Sequence, residues 1–242
     1  MASPFPSIPN PLIAIPQLYV VPIFWGESWI AHTPYNCFDV LENITTIMSG
    51  HYLDGLAEYG IAAGGAASFG AVLHVPDAEI PNPFQHEDCW RVIDGAIAAK
   101  SVEAPAVYDQ PALVGARYRT VYSLFVAPNH YFTDPNIFGW NKPDYRPGAA
   151  ATWVSCNSDL AGAVETFAHE LVEGGSGAQI ADACETEKFE LDGIRLPKYE
   201  VHGNCWPDLQ TRLIWMEEKL ARYRQRERGF AGRQPAGIVP AH

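Results

Sequence analysis

One stretch, Thr166 to Gly175, constrains the fold more than any other. Leu160, Val164, Phe167 and Leu171 recur at i, i+4, i+7 and i+11, which is one apolar stripe of a helix. Asn157, Ser158 and Asp159 offer side-chain acceptors for the free amides of a first turn. Gly174 and Gly175 read as the stop. The spacing therefore predicts a helix over 158–173. On it His169 and Glu173, one turn apart, share a face with Glu165, opposite the stripe. Glu170 points to the side of that pair.

An imidazole and a carboxylate one turn apart can bind the same cation. The pattern His169-Glu170-x-x-Glu173 is an analogue of His-Glu-x-x-His, in which the first Glu is the general base beside a zinc ion. The competing reading is a solvated polar face, the ordinary fate of charge opposite an apolar stripe. Charge distribution argues for the cation. No Lys or Arg occurs between Arg146 and Lys188, whereas Asp159, Glu165, Glu170, Glu173, Asp182, Glu185 and Glu187 do. A solvated helix usually mixes signs, because like charges one turn apart repel. Carboxylates without counter-charges point to a bound cation as the partner.

A chain of 242 residues that is 48% hydrophobic and 18% charged suits one well-cored domain, or at most two. The net charge of -12 argues against nucleic acid and anionic membrane as partners. No apolar run is long enough to span a bilayer. The start of the chain lacks a basic segment and a continuous apolar core, so it does not read as a signal peptide. The expectation is a cytoplasmic protein, or a secreted one if a leader has been removed. Cys37, Cys89, Cys156, Cys184 and Cys205 form no C-x-x-C pair, so a zinc knuckle is not indicated. Reduced thiols are the default, with Cys184 and Cys205 able to pair in a secreted chain.

Residues 1–17 read as a proline-rich extension, 18–230 as the metal-binding domain and 231–242 as a flexible tail. Leu18 to Trp25 reads as a buried strand that Pro22 pushes towards an edge or a bulge. Phe38 to Tyr59 reads as helical with a break near Gly50, and Gly60 to Gly70 as loop. Ala71 to Val75 and Thr120 to Ala127 read as strands, Glu87 to Ala99 as a helix. Asn129 to Gly148 is expected to be a long loop that shapes a binding site, with Tyr131, Trp140 and Tyr145 lining an apolar cleft. Thr152 to Ser155 is a short strand, and Asp208 to Gly229 an amphipathic helix. His51, His74 and His86 are expected to be ordinary hydrogen-bonding residues. His130 and His202 are candidates for the pocket, as oxyanion donors or as partners of a ligand. The class is α+β with a small mixed sheet.

In the order Val20 to Gly26, Ile47 to Gly60, the strand over 120–127, His169 to Glu173 and Gln179 to Cys184, these pieces resemble the extracellular phosphate-induced, EXORDIUM-like proteins. Those typically carry His-Glu-Leu-x-Glu followed by Glu-Ile-x-Asp-x-Cys. The resemblance covers roughly residues 18–206 and implies a metal-site fold more firmly than a reaction. To zincin metallopeptidases the chain is similar through the helix motif, which implies a zincin-like domain. It departs from the family where Gly174 to Ala178 replace a longer insertion, and where Gln179 stands for the Glu before Ile.

Catalytic zinc usually takes three protein ligands and leaves a position for water. His169 and Glu173 would be two. Asp182 is the first choice for the third, since it matches the Asp of the second family motif and follows Glu173 after flexible glycines; Gln179 and Glu185 are the alternatives. Zinc is the expected ion, and the oxygen-rich donor set makes Mn2+ or Fe2+ the alternatives. The expected activity is a metal-dependent hydrolase acting on a peptide, amide or ester bond, with Glu170 as general base on a water activated by the metal. Two other readings stand beside it. One is a biosynthetic enzyme that cyclises, eliminates or isomerises a small apolar substrate on the same scaffold. The other is a non-catalytic binding protein with a structural metal.

Overall fold

The computed structural model describes residues 17–30, 35–62, 68–75, 80–105, 118–184, 186–201 and 203–207, without the side chains of Ser68 and Tyr118. The helix expected over 208–229, the terminal segments, Glu185 and His202 lie outside the described residues. In chain order the elements are β1 (Gln17–Trp25), α1 (Cys37–Ser49), β2 (Ser68–Phe69), β3 (Leu73–Val75), α2 (His86–Ala98), β4 (Tyr118–Val126), β5 (Gly139–Arg146), β6 (Ala149–Ser155) and α3 (Leu160–Ser176). Four short strands follow: β7 (Lys188–Leu191), β8 (Ile194–Pro197), β9 (Tyr199–Val201) and β10 (Asn204–Trp206). The 3-10 turns Tyr52–Tyr59 and Asp182–Cys184 complete the part that frames the site. The architecture is mixed α and β around a mixed sheet.

The main sheet runs β2-β1-β4-β6-β5, with β3 also on β1. β1, β2, β3, β4 and β6 are parallel, and β5 is antiparallel to β6 at the edge. Alternation of side chains across a strand separates two cores. Leu18, Val20, Phe24, Val121, Phe125, Ala150 and Val154 face one side, with α1 and α3. Val21, Ile23, Trp25, Tyr122, Leu124, Val126, Ala151 and Trp153 face the other, with α2. Both sides of the central strands are buried, which is why they read as continuous apolar runs rather than alternating ones.

Pro22 sits in the interior of the sheet, contrary to the edge or bulge expected. Leu18 N–H donates to Ala62 O and Gly70 N–H to Val20 O, so the even-numbered residues of β1 turn their backbone groups away from β4. Pro22 shares that side. It falls between the pairing of Val20 with Phe69 and that of Ile23 with Leu73, where one short strand has ended and the next begins. The missing N–H therefore breaks no ladder bond.

Two further expectations change. The long loop over 129–148 contains β5, whose Pro143 the edge position tolerates. And α3 does not stop at Gly174 and Gly175. It runs to Ser176 and closes on Gly177, which has φ +76° and donates to Glu173 O. The two buried glycines serve close approach instead: a Cβ on Gly174 would lie 3.1 Å from Thr152 Cγ2, and one on Gly175 3.3 Å from Leu18 Cδ1. At the other end Asp159 Oδ1 accepts from Gly162 N–H at 2.8 Å.

Beyond α3 the chain folds back as two hairpins. Asp192 and Gly193, both with positive φ, make the two-residue turn between β7 and β8. β9 and β10 close over the Tyr52–Tyr59 turn, where Tyr52 donates to Pro197 O and Trp206 Nε1 to Tyr52 O. Cys184 and Cys205 are joined in a disulfide, in place of the reduced thiols taken as the default. It ties the Asp182–Cys184 turn to β10. No helix among the described residues is long and apolar enough to cross a membrane.

Candidate metal centre

The apolar stripe of α3 fixes what its other side does. Val164, Phe167 and Leu171 are buried against the sheet, with the Phe167 ring tilted against that of Phe125 at 5.4 Å between ring centroids. His169, Glu170 and Glu173 consequently turn towards a cleft between α3, β5 and the Asp182–Cys184 turn. The cleft has a volume of about 610 Å³, and Phe138, Trp140, Gln179 and Lys188 are among the residues around it. The polar face is not solvated throughout: Glu170 is 6% exposed and Glu173 3%.

The residues singled out as ligands converge. His169 Nε2 lies 3.3 Å from Asp182 Oδ1 and 3.7 Å from Glu173 Oε2. One ligand atom from each of the three can be chosen so that all lie within 4.8 Å of one another. Two ligands about 2.0–2.2 Å from a tetrahedral cation sit roughly 3.3–3.6 Å apart. The two His169 separations are close to that spacing, so the donor set fits a small divalent cation. Asp182 remains 54% exposed on its side chain, which leaves the cluster open to the cleft.

Glu173 holds the arrangement together. Its Oε1 accepts from the backbone N–H of Ala181 at 3.2 Å and of Asp182 at 3.4 Å, which ties the turn carrying Asp182 to the helix. Its Oε2, the oxygen nearer His169, accepts from Asn141 Nδ2 at 2.8 Å. The same Asn141 nitrogen donates to Glu170 Oε2 at 2.9 Å. β5 approaches α3 this closely because residue 139 is glycine. A Cβ there would stand 2.6 Å from Thr166 Cγ2 and 2.8 Å from Glu170 Oε1.

Burial dominates the electrostatics. It pushes the Glu170 carboxyl up to about 8; the Asn141 hydrogen bond opposes the rise, and the charges of Glu173 and Asp182 add to it. Burial also raises Glu173, against the pull of His169. Lys188, the lysine among the residues lining the cleft, is engaged with Glu165. A divalent cation between His169, Glu173 and Asp182 would supply the positive charge that this group of carboxylates lacks.

Sequence reasoning thus names His169, Glu170, Glu173 and Asp182, and the structure brings all four into one cleft. Gln179 also lines it. Of the aromatics expected there Trp140 lines the cleft, whereas Tyr145 turns to the opposite face and bonds Asp94, and Tyr131 is exposed elsewhere. His130 does not enter the cleft; its ring faces the carbonyls of Ala127 and Pro128. His51 pairs with Asp54, His74 with Gly26 O, and His86 Nδ1 accepts from Trp153 Nε1. Asn141 and Gly139 were missed because Pro143 disguised their strand. The signal available was that an edge strand tolerates proline. Compared with protein-family models and with curated protein sequences, the chain matches none.

Proposed function

We propose that this chain is a metal-dependent hydrolase, with zinc the expected ion and Mn2+ or Fe2+ the alternatives, acting on a peptide, amide or ester bond. One juxtaposition carries the reading: three ligand-type side chains with donor atoms within 4.8 Å of one another, and a buried fourth carboxylate, Glu170, beside them in an open cleft. A divalent cation held by His169, Glu173 and Asp182 would supply Lewis acidity to a substrate carbonyl and to a water beside it. Glu170 takes the proton from that water and hands it to the leaving group.

A peptide is the favoured substrate among the three. Ser155 N–H donates to Phe138 O, so in the register of β5 with β6 the backbone groups of Gly139 and Asn141 turn to the outer edge. Among the described residues β5 pairs with β6 alone. An extended chain adding along that edge would pass the cluster. On the same footing we read the domain as zincin-like, and the chain as a relative of the EXORDIUM-like proteins by the order of its motifs. The Cys184–Cys205 bond supports an oxidising, extracellular setting over the cytoplasm.

The test is elemental mass spectrometry on protein purified without added metal or chelator, beside His169→Ala. Near-stoichiometric zinc that the variant loses is the expected result. No metal in either protein, with both equally folded, would overturn the proposal.

A further inference from the structure

We infer that Asn141 is a positioning residue that keeps Glu170 and Glu173 in separate roles, one free to move a proton and the other committed to the cation. The inference rests on the metal-centre reading above. Glu170 and Glu173 are both buried in one cleft, and a buried carboxylate has to be hydrogen-bonded. Without a donor between them, nothing would fix the direction of the Glu173 oxygen that faces His169. The structure has a neutral donor in that place. The Asn141 nitrogen carries two hydrogens, and it donates to Glu170 Oε2 at 2.9 Å and to Glu173 Oε2 at 2.8 Å.

Few side chains have this capacity. A lysine would bring a positive charge that competes with the cation. A serine has one hydrogen and serves one carboxylate. An aspartate has none to give and adds a further negative charge. Asparagine alone supplies two donors on one atom, at short reach, without charge. Its backbone is held in place as well. Asn141 is paired across the sheet with Thr152, which packs beneath Gly174 of α3, and Gly139 two residues earlier lets the strand touch Glu170. Because Glu173 Oε1 already takes two backbone N–H groups, Oε2 is the oxygen left to turn towards a cation, and Asn141 sets its direction. This is the outer-shell role that orients a carboxylate ligand.

Asn141→Ala and Asn141→Ser test it, with binding of Co2+ and Zn2+ measured by competition titration and the visible spectrum of the Co2+ form recorded. Outer-shell partners typically govern metal affinity by about 10–100-fold. The expected order is wild type, then Asn141→Ser, then Asn141→Ala, with the alanine variant about 10–100-fold weaker, its Co2+ spectrum altered and its metal-free thermal midpoint near that of wild type. Should the alanine variant fold poorly, the serine variant alone reads the effect, since it keeps one donor. Wild-type binding that both variants match in affinity and spectrum overturns this inference and leaves the metal centre standing. A wild-type protein that takes up neither Co2+ nor Zn2+ overturns the metal centre, and this inference with it.

Discussion

Glu170 and Glu173 lie three positions apart on one helix, yet their surroundings separate them. Glu173 has both oxygens engaged, one by two backbone amides and one by Asn141. Glu170 accepts a hydrogen bond from Asn141 and otherwise lies against the backbone of Gly139. A ligand needs fixed lone pairs, whereas a base needs an oxygen free to take a proton, and the two environments suit the roles proposed for Glu173 and Glu170. Glu170→Gln keeps the shape and an acceptor for Asn141 while removing the proposed base. It should lower turnover of a peptide substrate roughly 10²–10⁴-fold with metal content and thermal midpoint retained. Turnover unchanged in a fully metallated variant would remove Glu170 from the chemistry.

At the scale of elements, α3 and β5 build the site together, and glycines set the distance between layers. Gly174 sits over Thr152 of β6 with room for little beyond a hydrogen. A branched side chain there would press on Thr152 beneath the helix that carries His169, Glu170 and Glu173. Gly174→Val should destabilise the fold by roughly 1–3 kcal/mol through overpacking, read from the midpoint of chemical denaturation, and should weaken metal binding in the same protein. A variant as stable as wild type would mean that α3 does not rest on β6 through this residue. The same close packing explains why the helix continues past a glycine pair that reads as a stop. Burial against the sheet outweighs the cost of about 1 kcal/mol for glycine in a helix, and the stop falls at Gly177, where φ is positive.

Over the whole molecule, several tyrosine hydroxyls close the layers onto one another. Tyr35 donates to Cys156 O, Tyr52 to Pro197 O and Tyr59 to Glu200 O. Burial is the first cause that raises each of them, pushing Tyr59 up to about 12 and Tyr52 well above its ordinary value. Burial raises Tyr122 to about 12 in the same way. A folded pKa above the unfolded value of 10.0 means that the native state holds the proton more tightly. The stability this contributes is complete below pH 10 and is lost as pH rises towards 12 and beyond. Alkaline unfolding should therefore set in between those values, with tyrosinate absorbance and loss of circular dichroism appearing together. Ionisation of Tyr52 and Tyr59 near pH 10 in a protein still folded would contradict the packing described.

How far the site could be read in advance follows from how local each feature is. The periodicity of Leu160, Val164, Phe167 and Leu171 determines a helix, and a helix by itself sets His169 and Glu173 on one face, because 3.6 residues make a turn. The apolar runs of β1 and β4 likewise announce buried strands. Asp182 was named by its resemblance to a family motif and its place after the glycines, but its approach to His169 involves a turn held by Glu173 and a disulfide to Cys205, both contacts between segments apart in sequence. Burial of Glu170 and Glu173 was not legible, since a polar helix face looks the same whether water or another strand covers it. Nor was Asn141, because β5 is a strand by virtue of pairing with β6 across a sheet edge, and its own residues include a proline. Spacing along one helix determined which side chains can share a cation. The sheet edge decided which carboxylate is tied down and which is left free, because that depends on the groups that packing brings to them.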